Sequence, residues 1–90
     1  MAHMKVKLFS KSSNAEVAIQ TKTAYRLLST HKIEPELIDV DTPEGSMQQE
    51  LYGVMSYPTV IVTTDDGGEI ASWHGKIPPA EDIRYAMGHI

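Results

Sequence analysis

No cysteine occurs among the 90 residues, which removes disulfides, thiolate metal sites and thiol nucleophiles from the chemistry open to this chain. No apolar run approaches the roughly 20 residues that cross a bilayer, and no apolar stretch with a cleavage site opens the sequence, so a soluble, cytoplasmic protein with no membrane partner is expected. Lys and Arg form no cluster and the formal net charge is -4, which speaks against nucleic acid, because phosphate neutralisation needs local positive charge. Metal chemistry lacks its residues as well. His31, His74 and His89 have no partner at ligand spacing, and no Asp-x-Asp-x-Asp-Gly loop is present. Glu44, Glu50, Glu81 and Asp82 read as solvated helix charges, and no carboxylate pair is placed for acid–base work.

What is present suits one compact domain with a modest core, since 41% of the residues are hydrophobic. The opening "MAHM" puts a second methionine just before a strand-like pattern. Residues 1–3 therefore read as a vector-derived remnant, the domain is expected over 4–90, and His3 is no ligand candidate.

The element order follows from periodicity. Lys5 to Phe9 alternates polar and apolar, the pattern of a half-buried strand. Ser13 and Glu16 have capping-box spacing, predicting a helix from about Asn14 to Thr30 with Val17, Thr21, Ala24 and Leu28 on one packed face. Leu37 to Val40 forms a second strand. Asp41-Thr42-Pro43 then reads as an N-cap and a first-turn proline, starting a second helix, bearing Met47 and Leu51, that Gly53 stops. Thr59 to Thr63 and Glu69 to His74 are antiparallel strands joined by "DDGG", and Ile77-Pro78-Pro79 opens a last helix in which Ile83 and Met87 share a face. The expectation is an α/β chain of βαβ-αββα order: a four-stranded mixed sheet with three helices on its two faces.

In this setting "YGVMSYPT", residues 52–59, resembles the segment before the conserved proline of thioredoxins, and "DGGEIASWHG", residues 66–75, is similar to their following hairpin and glycine. "AIQTKTAYRLLSTHKI", residues 18–33, resembles the first helix of the small glutaredoxin-like, NrdH-type redoxins. The resemblance runs from Met4 to the end and implies a thioredoxin-like fold, a cis peptide before Pro58, and a Cys-x-x-Cys motif that is not here. Matching that motif from the helix's C-terminal side puts Ala18 and Thr21 at the cysteine positions. Counting forward from Lys11 puts Asn14 at the first, about one helical turn earlier. Both registers stand. Neither supplies a nucleophile, because thiol–disulfide exchange needs a thiolate, and a threonine hydroxyl needs a base to activate it.

A backbone left free beside Pro58 can still pair with an extended peptide. The expected function is thus a redox-inactive module binding a protein or extended peptide through Ser56, Tyr57, Pro58 and Thr59, without cofactor and as a monomer. The alternatives are a thiol–disulfide oxidoreductase whose cysteines have been substituted, or a glutathione-type ligand domain. For the latter, Ser12, Ser13 and Asn14 offer donors at a helix N-terminus, with Lys11 and Lys76 as nearby cations. Ile19, opposite the packed stripe, is either a lone exposed isoleucine or a candidate to join Tyr57 and Trp73 in an apolar patch, and Trp73 is expected to be partly core.

Overall fold

The computed structural model describes residues 4–88; residues 1–3, His89 and Ile90 lie outside the described residues. Four strands and three helices follow in the order β1 (Met4–Ser10), α1 (Ala15–Thr30), β2 (Glu36–Asp39), α2 (Pro43–Tyr52), β3 (Thr59–Thr64), β4 (Glu69–His74) and α3 (Ala80–Ala86). The sheet runs β2-β1-β3-β4. β1 pairs parallel with β2, and the β1–β3 and β3–β4 pairs are antiparallel.

Strand alternation sorts the core into two layers. Val6, Leu8, Val60 and Val62 face Ala24, Leu28 and Ile33 of the α1 region and Ala80 and Ile83 of α3. Phe9, Ile38, Ile61, Val40 and Val54 form the second cluster, with Tyr52 of α2 against it. The α1 stripe is as its 3.6-residue period requires: Val17, Thr21, Ala24 and Leu28 are the buried residues.

α2 departs from the simple pattern. Met47 and Leu51 are 72% and 75% exposed, whereas Gly45 is buried. The helix lies so close to the end of β2 that only a glycine fits there, and the apolar pair is left on the solvent side. Beneath α2, the buried Lys7 side chain is satisfied by Glu36 Oε1 at 3.2 Å and Gln48 Oε1 at 2.8 Å, and its Nζ stands 5.8 Å from the Tyr52 ring centre. A strand residue that alternation turns inward thus carries its charge to the edge of the layer.

Candidate functional site

Register brings three connections to one end of the sheet. Ser10 at the end of β1 is level with Asp39 at the end of β2, and Phe9 is level with Thr59 at the start of β3, itself opposite His74. The β1–α1 loop, the β2–α2 loop and the segment entering β3 therefore meet.

The β1–α1 loop is held by acids. Asp39 Oδ1 accepts from the Ser12 and Asp41 N–H groups at 3.2 and 3.0 Å. Asp41 Oδ2 accepts from the Ser13 N–H at 2.8 Å and the Ser12 hydroxyl at 3.3 Å. The backbone N–H of Asp41, then the Ser12 side chain, hold the Asp39 carboxyl below the usual range. The Ser13 backbone N–H does the same for Asp41. Lys11 Nζ is 3.7 Å from Asp41 Oδ1 and 5.9 Å from the centre of the Tyr57 ring, so it links this loop to the segment before β3.

These bonds overturn the expected cap. Ser13 does not cap α1. Asn14 does, with extended backbone and its Oδ1 accepting the Val17 N–H at 3.1 Å. The Ser12–Ser13 turn, closed by the Asn14 N–H on the Lys11 carbonyl at 3.0 Å, is fastened to the aspartates, which delays helix entry by one residue. The N–H groups of Ser12 and Ser13 that were candidates for an anion already serve the chain's own carboxylates.

The segment entering β3 is anchored on both sides. Gly53 takes the left-handed conformation at φ 64° and ends α2. Val54 is buried, with its N–H on the Gln49 carbonyl at 3.0 Å and its carbonyl accepting from Gln49 Nε2 at 3.1 Å. The Tyr57–Pro58 peptide is cis. Thr59 is fully buried; its hydroxyl donates to the Ser56 carbonyl at 2.7 Å and accepts from the Gly75 N–H at 3.3 Å. Between the anchors Met55 is 86% exposed, and among the described residues the N–H and carbonyl of Tyr57 make no hydrogen bond.

Asn14 therefore stands at the N-cap, beside the loop that reaches Tyr57. Ala18 and Thr21 lie further along α1, lining a groove with Lys22, Tyr25 and Leu37. Thr21 is buried, and its hydroxyl donates to the Val17 carbonyl at 2.7 Å. The candidate Ile19–Tyr57–Trp73 patch does not form. Ile19 lines a groove with Ile77, Pro78 and Pro79, Trp73 packs on the α1/α3 layer, and Tyr57 packs on the opposite one. The wheel and the strand alternation place each side chain correctly, but they do not say which sheet face a loop residue joins. Trp73 is partly buried, as expected of a residue paired with Val60.

Sequence reasoning passed over Asp39 and Met55 and placed Asp41 in the cap of the second helix, whereas Thr42 is the cap and Asp41 holds the β1–α1 loop. Paired aspartates at a strand's end, and a large apolar residue between a helix-stopping glycine and a proline, were the available signals.

Neither a protein-family model nor a curated protein matches the sequence. Solved structures do resemble the fold. A malarial protein superposes with a TM-score of 0.67 at 18% identity, over 94% of this chain and 93% of its own. Thioredoxin-2, a component of malaria parasite protein secretion machinery, gives 0.69 at 16%, over 99% and 84%. A candidate disulphide-isomerase of Bacteroides thetaiotaomicron gives 0.66 at 14%, over 92% and 75%. Sheet order, helix placement and these superpositions agree: the chain has a thioredoxin-like fold, built from a sequence without cysteine.

Proposed function

We propose that this chain is a non-catalytic, monomeric binding domain that takes a protein segment in extended conformation along Ser56, Tyr57, Pro58 and Thr59. One observation carries the reading. Among the described residues Tyr57 keeps its backbone donor and acceptor unpaired while Val54 and Thr59 hold the segment from either side. A segment held at both ends with free polar groups pairs with an extended chain at little ordering cost. Met55 offers an adaptable apolar contact beside it. None of this needs a thiol. Titrating the isotope-labelled chain with an extended valine–alanine pentapeptide should shift the Ser56, Tyr57 and Thr59 amides. Shifts confined to the outer face of α2 or to α3 would refute the reading.

A second reading, a glutaredoxin-like redoxin of the NrdH type whose cysteines have been replaced, draws on Asn14 at the α1 N-cap, since a helix N-terminus lowers a thiol pKa. Asn14→Cys and Ala18→Cys variants separate the registers. An alkylation profile with lowered thiol pKa and disulfide reduction in either one supports it, and ordinary thiols in both remove it.

A further inference from the structure

The sheet has two outer strands, and they are protected unequally. β2 is four residues long and carries Glu36 and Asp39, engaged by Lys7 and by the β1–α1 loop. β4 is six residues long, and between Glu69 and His74 it presents Ile70, Ala71, Ser72 and Trp73 without a charge. Among the described residues no strand pairs with its outer side. A free edge offers unpaired N–H and C=O groups to any extended chain, and charges, proline or shortness are what normally block it. The register shift next to Glu69 disturbs only the far end of the strand.

Beside that edge, Trp73, Asp82 and Tyr85 line one depression of about 420 Å³ with Ile70, Ala71 and Ala86. Trp73 points there because its partner Val60 faces the α3 layer. Tyr85 is 69% exposed. Aromatic faces and a carboxylate both attract a cation. None of the lining residues is basic, and Arg84, the basic residue of α3, donates instead to the His31 carbonyl. The exposed Asp65, Asp66, Glu69 and Glu81 on the two elements and their turn add charge of the same sign.

We propose that a basic, extended segment of a partner protein adds as a fifth strand on the outer edge of β4, with a Lys or Arg side chain seated between Trp73, Tyr85 and Asp82. Charge argues against a second copy as the occupant, because β4 holds no Lys or Arg within its length, Lys76 lying beyond its end, so pairing β4 with itself would put no basic strand side chain into either depression. This surface is separate from the Tyr57 segment and stands whether or not that reading holds.

The probe is an acetylated Val-Lys-Val-Lys-Val peptide, with Val-Glu-Val-Glu-Val as its counterpart. The lysine peptide should shift the Ile70 to His74 amides and change Trp73 fluorescence, and the glutamate peptide should bind at least about tenfold more weakly. Asp82→Asn and Tyr85→Ala, both at exposed positions, should each weaken the lysine peptide by roughly three- to tenfold. The peptide comparison leaves the protein unaltered, so it decides even if a variant misfolds. Equal response to both peptides overturns the proposal, as do shifts on β2 or on Ser56 to Thr59 in place of β4. Shifts on β4 that grow with protein concentration before any peptide is added also overturn it, since the occupant is then another copy.

Discussion

Substituting Gly45 by alanine tests the closest approach in the structure. A Cβ at this position would stand 1.8 Å from the Asp39 carbonyl oxygen, 2.5 Å from its carbon and 3.0 Å from Thr42 Oγ1. Ordinary contact lies near 3.5 Å, so the first turn of α2 would have to retreat by roughly 1.5 Å. Retreat would stretch the Thr42 hydroxyl bond to the Asp39 carbonyl, now 2.7 Å, and the Thr42 N–H bond to the same oxygen, now 3.1 Å. Overpacking costs about 1–3 kcal/mol and a damaged cap about 1 kcal/mol, against a propensity gain of at most about 1 kcal/mol for alanine over glycine. The net expectation is a loss of about 2 kcal/mol. Urea unfolding should show it as a midpoint lowered by about 1 M at an unchanged slope. Gly53→Ala is the control: nothing lies within 4 Å of its Cβ, and only the left-handed φ of 64° is penalised, by about 1 kcal/mol. Because open space at Gly45 would make alanine stabilising, a Gly45→Ala chain as stable as its parent refutes the packing of α2 on β2.

Asn14→Ala should cost about 1 kcal/mol in thermal or denaturant unfolding, Asn14→Ser much less, and Ser13→Ala almost nothing, since only Asn14 caps α1; an equal cost at Ser13 would restore the capping-box assignment. Asp39 and Asp41 have folded-state pKa values below the ordinary 3.8, so their contribution is present above the unfolded value and lost as pH falls through the folded one. The melting temperature should therefore hold from neutrality to about pH 4 and drop below it, and the Asp39→Asn/Asp41→Asn chain should start lower and lose part of that drop. Lys7→Met, which keeps the stem and leaves a half-exposed Glu36, should alter stability by less than about 1 kcal/mol, while Lys7→Ala should cost more through lost packing under Tyr52. A Lys7→Met loss above about 2 kcal/mol would make the ion pair itself the stabilising element.

The fold was legible because its signals are local and repeated. β4 runs over the residues read from its alternation, and α1 buries the stripe that its period marks. β2 begins at Glu36, one residue before the expected Leu37, an ordinary disagreement at a strand's end. The site was less legible. Ser13 and Asn14 are both good caps by residue type. What chose between them was a pair of aspartates more than twenty residues later in the chain, reaching the loop through the parallel β1–β2 pairing. Met47 and Leu51 show helical spacing without burial, because the close approach at Gly45 turns the opposite side of α2 to the sheet.

Taken alone, the sequence determined the element order, the packed face of α1, the turn between β3 and β4 and the absence of thiol chemistry, because each depends on residues within a few positions or on composition. Tertiary structure decided which residue caps α1, which layer Tyr57 joins and which sheet edge is left unguarded. Those outcomes rest on strand register, which brings together residues that no local pattern connects.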